Sequence, residues 1–382
     1  MKYIIGKHIV SGLLAVGLVL LTGCQSDGGD TTGPQKVSVE MRASARTYGD
    51  AVPKASTRTW PPSSDFEVYS GHDAIRVAFT KGNKIAEFTG GTADGSFVYS
   101  DGENKWYSTF EVKDLSSNPY YLYGFMPSMG SLSLAPVSGD YENGATMTIS
   151  GLPTATSSDV CVIVGVKKGT SSTVDGGIQM GQFSYDLSGE TNHVFLLCDH
   201  IYAALRLKFR VNETYNALRR IHLKKVWVKD CKNGSGNTFS SKSNVVVRLE
   251  KTTDGTSPIK SFTFTNDGTN TVVDMEQSPL YKSADAAGLP LTTSYQEVQG
   301  CMAPIGMTEF TLVSQYDVYD TNGNLIRQDE KAENKINISS LFIPATEFQR
   351  GTRYTLYLTV NPTYLYMLSE PDLDNPTVEV GS

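Results

Sequence analysis

The sequence has few of the residues that build metal and redox sites. Its 382 residues include five histidines and five cysteines, and no two cysteines have the C-x-x-C spacing that is typical of zinc and redox centres. It also lacks a G-x-S-x-G, a Walker-type or a G-x-G-x-x-G pattern. We therefore expect no enzyme activity, no catalytic residues, no metal and no protein-bound cofactor.

Basic residues are also scarce. Lysine and arginine number 33 against 40 acidic residues, which gives a net charge of −7. Because the phosphate backbone is bound by clustered lysine and arginine, this balance argues against a nucleic-acid partner. Charged residues make up 19% and apolar residues 39%, while 20 Tyr, 15 Phe and 35 Gly are present. This composition favours an all-β globular protein.

The N-terminus predicts export. Lys2 and Lys7 precede an apolar run over residues 9–21, which is too short for a spanning helix and typical of a secretory signal. The run ends in Leu21-Thr22-Gly23-Cys24, which resembles the bacterial lipobox. That resemblance implies a lipoprotein signal peptide over residues 1–23, cleavage before Cys24, and diacylglycerol on the Cys24 thiol. Residues 24–36 carry hardly any apolar side chain and are predicted to be a flexible tether.

The body of the chain reads as short strands separated by polar turns. Val37, Val39 and Met41 alternate with polar residues, as do later segments in both halves, and such alternation predicts half-buried strands. Asn322-Gly323 predicts a hairpin, and a one-residue slip in the pattern over residues 221–228 predicts a bulge. We expect two tandem β-sandwich domains over residues 37–190 and 191–382, the second with a terminal tail.

Some polar residues have both a structural and a functional interpretation. His200 and His222 lie in or beside strands, which favours hydrogen-bonded structural histidines. The segment 320–324 has alternating oxygen ligands but favours a hairpin turn over an ion site. An acidic cluster near the end, Glu370, Asp372 and Asp374, favours a solvated turn. Cys161 and Cys198 follow or interrupt apolar runs and are expected to be buried; the disulfide state is open for Cys161, Cys198, Cys231 and Cys301.

Several segments, in their order along the chain, resemble the fimbrillin family, the lipoprotein-derived pilins of gut and oral anaerobic Gram-negative bacteria. The resemblance spans nearly the whole chain and rests on residues 120–127 (YYLYGFMP), 197–209 (LCDHIYAALRLKF), 300–304 (GCMAP), 316–327 (YDVYDTNGNLIR), 350–356 (RGTRYTL), 361–366 (NPTYLY) and 372–376 (DLDNP).

The resemblance implies two transthyretin-like β-sandwich domains and a route of assembly. A lipidated precursor reaches the surface of the cell outer membrane, where an Arg-specific, trypsin-like protease removes the tether and the first strand. A strand from another pilin subunit then fills the opened groove, which is strand addition to an exposed sheet edge. The implied partners are other pilin subunits, the protease, the outer membrane through the lipid, and a host or bacterial adhesion ligand.

The residues that fit this route are few. Val37, Val39 and Met41 make the removable first strand. Arg46 is the first choice for the cleavage site, with Arg42 and Arg58 as alternatives, in a stretch that we expect to lie beyond the strand and to be accessible. We expect the mature protein to start just after one of these arginines. Two short tail segments are candidate donor strands, namely Tyr364, Tyr366 and Leu368, and Val378 and Val380.

Alternatives remain at this level. The family contains tip, stalk and anchor subunits. The short tail and the long loops leave the choice between stalk and tip open, and we favour a tip or minor subunit. A monomeric surface lipoprotein that binds glycans or host ligands is a second interpretation, with Trp60, Trp106 and Trp227 and many tyrosines as stacking platforms. A surface glycosidase or protease is a third, although no carboxylate pair or nucleophile–base pair is identifiable. Retention of the lipid and of residues 24–46 would distinguish the second reading from the first.

Overall fold

The computed structural model describes most of the chain from residue 35 onward, all within one compact unit, Pro34–Ser382. The described residues are 35–46, 49–50, 66–68, 75–85, 88–89, 96–100, 105–112, 119–171, 173–176, 179–187, 191–268, 271–303, 306–342, 345–362 and 371–380.

The described residues are almost entirely β. The strands of the first half are β1 (Gln35–Arg46), β2 (Gly49–Asp50), β3 (Phe66–Val68), β4 (Ile75–Lys81), β5 (Lys84–Ile85), β6 (Phe88–Thr89), β7 (Ser96–Ser100), β8 (Lys105–Val112), β9 (Tyr120–Met126), β10 (Ser131–Pro136), β11 (Gly144–Pro153), β12 (Cys161–Gly169), β13 (Ser184–Tyr185) and β14 (Thr191–His200).

The second half continues in the same way, with two four-residue helices. Its elements are β15 (Ala203–Val211), α1 (Glu213–Asn216), β16 (Arg220–Asn233), β17 (Lys242–Glu250), β18 (Ile259–Asn266), β19 (Tyr281–Lys282), β20 (Leu289–Pro290), β21 (Gln296–Ala303), β22 (Met307–Tyr319), β23 (Leu325–Asn337), α2 (Ile338–Leu341), β24 (Thr352–Pro362) and β25 (Pro371–Val380). None of the helices in the described part of the chain has the length and apolar character needed to span a bilayer.

The first sheet closes on itself. Its order is β13-β9-β12-β14-β1-β8-β7-β4-β5, and an additional pairing of β9 with β4 joins its two sides. Closure requires glycine at position 124, because a Cβ there would lie 2.1 Å from the carbonyl oxygen of Arg76 on β4. The apolar face of β1 points into the core that this ring encloses.

Strands β9, β12 and β14 are buried on both faces. Along β12, Cys161 and Ile163 point into the enclosed core, whereas Val162 and Val164 pack against a second core. A four-stranded sheet, β10-β11-β17-β18, covers that second core. A continuous apolar run such as that of β12 is what burial on both faces requires.

The rest of the chain forms a sandwich of two sheets. One sheet has the order β2-β24-β15-β21, with β25 paired to β24. The other sheet has the order β19-β16-β22-β23, with β20 paired to β16. A large core lies between them and takes alternate residues of β15, β16, β22 and β24. The model thus confirms the predicted all-β fold class.

Several local predictions hold. The register of β16 with β22 shifts between Leu223 and Lys225, where the bulge was expected, and β22 and β23 form the predicted hairpin. Asp320 accepts hydrogen bonds from the backbone N–H groups of Asn322 and Asn324, both at 2.8 Å, so its carboxylate closes the turn. The domain boundary between residues 190 and 191 stays a prediction; β14 pairs with β1 as far as Cys198 and with β12 as far as His200.

Candidate functional site: the first strand and its buried end

Strand β1 lies inside the first sheet, not at its edge. It pairs in parallel with β14, from Ser38 opposite Thr191 to Ala45 opposite Cys198. On its other side it pairs antiparallel with β8 as far as Met41 opposite Trp106. Beyond Met41, β3 takes over on that side, from Ser44 to Arg46. Both rows of backbone groups of β1 are therefore paired along most of its length.

The inward face of β1 is apolar and buried. Val37, Val39 and Met41 are 0–3% exposed, and Ala43 and Ala45 follow them on the same face. They pack in one core with Trp106, Leu122, Ile163 and Leu196, among others. Fully burying a valine or methionine side chain stabilises a fold by about 1.5–3 kcal/mol. The three predicted residues thus give β1 a large share in the stability of this sheet.

The outward face of β1 is tied down by polar contacts. The Tyr107 hydroxyl donates a hydrogen bond to the Ser38 hydroxyl at 3.1 Å. The Glu40 carboxylate lies 2.9 Å from the ammonium of Lys105 and 3.2 Å from Nδ1 of His193. These contacts come from β8 and β14, the two neighbours of β1, and each is partly exposed. Isolated pairs of this kind contribute about 0–1 kcal/mol each.

The C-terminal end of β1 meets a buried charge network. The carbonyl oxygen of Arg46 accepts a hydrogen bond from Nε2 of His200, and the Arg46 guanidinium lies 3.8 Å from the carboxylate of Asp199. Asp199 is fully buried and also binds the guanidinium of Arg350 at 2.6 Å. Arg350 in turn donates to the carbonyl oxygen of His200 at 2.8 Å. The end of the first strand is thereby linked to the segment that leads into β24.

The expected setting of the candidate cleavage residues was wrong. Arg42 and Arg46 do not lie beyond the strand, because β1 continues to Arg46, and the Arg46 side chain is only 13% exposed. A protease that binds an extended substrate can reach Arg46 only after the end of β1 has opened locally. Arg58 lies outside the described residues, and cleavage at any of the three stays a prediction.

A second polar group adjoins this end of the strand. Nδ1 of His200 lies 2.8 Å from Oδ1 of Asp159 and 3.3 Å from Sγ of Cys161. His200 is thus hydrogen-bonded, as predicted; Cys161 and Cys198 are buried as expected, and both are free thiols together with Cys231. Burial and the nearby Asp159 carboxylate raise the pKa of the Cys161 thiol well above its ordinary value.

The candidate donor segments lie at the other end of the chain. Strand β25 pairs antiparallel with β24, with Val378 opposite Leu358 and Val380 opposite Leu356. Tyr364, Tyr366 and Leu368 lie outside the described residues, as do Cys24 and Glu370. Asp372 and Asp374 lie on β25, so the predicted solvated turn is wrong for these two residues.

The residues proposed to stack on glycans are not exposed where the structure describes them. Trp106 and Trp227 are 0% and 2% exposed; Trp60 lies outside the described residues. A ring must be accessible to stack on a sugar, so neither of these two side chains can serve as a platform. The glycan-binding interpretation loses two of the three tryptophans that it named beside the tyrosines.

Sequence reasoning did not identify Asp159, Asp199 or Arg350. Their contacts with β1 and with His200 join residues that are about 40 to 150 positions apart, and no local pattern predicts such pairs. One signal was present: Asp199 follows directly on the apolar run that ends β14. An acidic residue at the end of a buried strand needs a charged or hydrogen-bonding partner.

Comparison with known proteins gives structural neighbours only. The sequence matches no protein-family profile and no curated protein. A candidate cell adhesion protein from Bacteroides fragilis aligns over 91% of this chain and 98% of its own, at 11% identity and a TM-score of 0.41. A fimbrial protein from Bacteroides vulgatus covers 89% and 99%, at 11% identity and a TM-score of 0.30.

A third neighbour is the fimbrial anchor protein Mfa2 from Porphyromonas gingivalis, with 89% and 95% coverage, 9% identity and a TM-score of 0.25. These identities and scores are too low to carry an argument about function. The neighbours named here are described as fimbrial and candidate cell adhesion proteins.

Proposed function

We propose that this protein is a structural or adhesive subunit of a cell-surface fimbria and not an enzyme. In this proposal it is exported as a lipoprotein, cut by an Arg-specific protease and assembled by donor-strand addition. The single observation that carries the proposal is the position of β1: the first strand of the described chain is an interior strand with a fully apolar inner face.

Removal of such a strand creates a binding groove. Its floor would be the core that Val37, Val39 and Met41 now fill, and its walls would be the unpaired edges of β14 and β8. The 12 residues of β1 correspond to a groove about 40 Å long at about 3.3 Å per residue. An extended strand with alternating apolar residues can form backbone hydrogen bonds with both edges and place its apolar side chains in the core.

The groove is too costly to leave empty. At about 1.5–3 kcal/mol for each side chain, exposing the pockets of three large residues costs about 5–9 kcal/mol. That is comparable to the whole stability of an ordinary domain, about 5–15 kcal/mol. A subunit that has lost β1 therefore gains strongly by taking up a strand from another subunit, whereas an uncut precursor is already satisfied and stays monomeric.

Cleavage after Arg46 also separates the domain from its lipid. Cys24 with its diacylglycerol, the tether and β1 all precede the cut, so the outer-membrane anchor stays with the discarded segment. The remaining protein would be held at the cell surface by its neighbours in the fimbria. Val378 and Val380, or Tyr364, Tyr366 and Leu368, would supply the strand for the next subunit.

The experiment is to determine the N-terminus and intact mass of the protein recovered from the surface of its native host. A start after Arg42, Arg46 or Arg58, without lipid, is the expected result. Material that starts only at acylated Cys24 would contradict polymerisation by loss of β1. It would leave an anchored binding lipoprotein or an uncut anchor subunit.

A further inference from the structure

Near the end of β1, the side chains of Asp159, Cys161 and His200 bring together three atoms that could bind a metal ion. Asp159 precedes β12, Cys161 begins it, and His200 ends β14 directly opposite Cys161. Nδ1 of His200 lies 2.8 Å from Oδ1 of Asp159 and 3.3 Å from Sγ of Cys161, and Sγ lies 3.5 Å from the same oxygen. One nitrogen, one sulfur and one oxygen thus form a closed triangle.

The hydrogen bond on the other side of His200 fixes the proton there. A backbone carbonyl oxygen only accepts, so Nε2 carries a proton that it donates to Arg46. Nδ1 is then the ring nitrogen that faces Oδ1 of Asp159, at 2.8 Å, and Sγ of Cys161, at 3.3 Å. A proton or a metal ion can bridge these atoms.

We propose that Asp159, Cys161 and His200 form a binding site for one divalent transition metal ion of the zinc type. Thiolate, imidazole and carboxylate are the ligands of zinc, whereas calcium and magnesium take oxygen ligands. Bonds of about 2.0–2.3 Å at tetrahedral angles place neighbouring ligand atoms about 3.3–3.7 Å apart. The separations of 2.8–3.5 Å require only small movements of the side chains to reach this geometry.

The surroundings fit a bound metal. A ligating histidine usually donates its second N–H to a carbonyl or carboxylate, which orients the ring, and the carbonyl of Arg46 has that role here. Asp199 is not available as a ligand because it binds Arg350 and lies near Arg46. The Asp159 side chain is 23% exposed, so a water molecule can reach a fourth position from that side.

Binding must displace the proton of the Cys161 thiol. The S–H bond breaks, the proton leaves to solvent and the sulfur binds the metal, so one thiol proton is released for each ion taken up. The ion and the thiol proton therefore compete for the same sulfur. A divalent ion then balances the charges of the Asp159 carboxylate and the Cys161 thiolate.

The test is a cobalt titration of the purified full chain after removal of metals with a chelator. We expect one Co²⁺ per chain, with the visible bands of tetrahedral cobalt and a thiolate-to-cobalt charge-transfer band, and displacement by one equivalent of Zn²⁺. Folded wild-type protein that gives no such spectrum would overturn the proposal and leave a proton between His200 and Asp159. This decision needs no variant.

Two variants then locate the site. Cys161→Ser should lose the charge-transfer band and bind at least about tenfold more weakly. Cys231→Ser is the matched control, because Cys231 is also a free and buried thiol but lies in the core of the two-sheet sandwich. The cobalt spectrum of this variant should equal that of the wild type. A charge-transfer band that persists in folded Cys161→Ser would contradict the assignment. Neither result depends on whether the chain is cleaved or polymerises.

Discussion

The first and last strands of the described chain are held very differently. Strand β1 has β14 on one side and β8 and β3 on the other, and its apolar face fills a core. Among the described strands, β25 is hydrogen-bonded only to β24, and it also lies against β23. An interior strand leaves its sheet only with the loss of two rows of hydrogen bonds and a core face. A strand paired on one side breaks only one row.

In the proposed assembly, this difference fits opposite roles for the two strands. The strand whose departure costs most, β1, is the one whose loss has to be made good by another strand. A strand that is hydrogen-bonded on one side only can leave its sheet at a smaller cost, which is what a donor strand requires. Val378 and Val380 lie on the strand of this second kind.

The largest expected effect comes from truncation at each end. A chain that starts at Thr47 lacks β1 and should lose about 5 kcal/mol or more. That loss corresponds to a melting temperature about 10–20 °C lower for a domain of this size. A chain that ends at Glu370 lacks β25 and should lose much less. Thermal unfolding of the two truncated chains compares their melting temperatures. Adding a peptide of residues 35–46 should restore the melting temperature of the chain that lacks β1. Equal losses of stability in the two chains would contradict the difference between β1 and β25.

A core substitution on β1 should come next in size. Met41 is fully buried, so Met41→Ala should reduce the free energy of unfolding by about 2–5 kcal/mol. Arg42→Ala, on the opposite and partly exposed face, is the matched control and should stay within about 0.5 kcal/mol. Urea denaturation measures both, and a Met41→Ala effect no larger than the control would mean that this face does not fill the core.

The charge network at the end of β1 should control access to Arg46. Asp199→Asn removes a buried charge that two guanidinium groups share, and breaking a buried pair costs about 3–5 kcal/mol. Since the asparagine retains a hydrogen-bonding oxygen, we expect the free energy of unfolding to fall by about 2–3 kcal/mol. We also expect faster trypsin cleavage after Arg46. Peptide mapping over time gives the rate at this bond. An unchanged rate in the folded variant would show that the network does not hold the strand end.

The smallest effect should come from the outer face of β1. Lys105→Ala removes the ion pair with Glu40, in which both side chains are partly exposed. The expected loss is about 0–1 kcal/mol, and it should shrink as salt is added. Unfolding at low and high salt tests this. A larger, salt-independent loss would mean that the outer face holds β1 as firmly as the core face does.

The alternation of residues predicted the strands well but not their neighbours. Val37, Val39 and Met41 identified β1 and its buried face, because the period-two pattern is local. That β1 pairs with β14, about 150 residues later, depends on long-range contacts that no local pattern contains. The closure of the first sheet by Gly124 against Arg76 is likewise visible only in the fold.

The end of the strand was also misjudged for a physical reason. The small and basic residues around Arg46 are typical of an accessible loop, yet Ala43 and Ala45 face the core. The strand therefore continues through these two residues to Arg46. Alanine at alternate positions is therefore compatible both with an accessible loop and with a strand that faces the core, and only the fold distinguishes between these two cases.

The most direct test of the central claim is limited trypsin digestion of the purified, folded full chain. Intact mass and oligomeric state would be measured on the same sample. We predict that cleavage after Arg46, once the end of β1 has opened locally, is followed by loss of the fragment that carries β1 and by assembly of the remaining protein into multimers. A chain that is cut there but keeps β1 and stays monomeric would contradict the claim that strand replacement drives assembly.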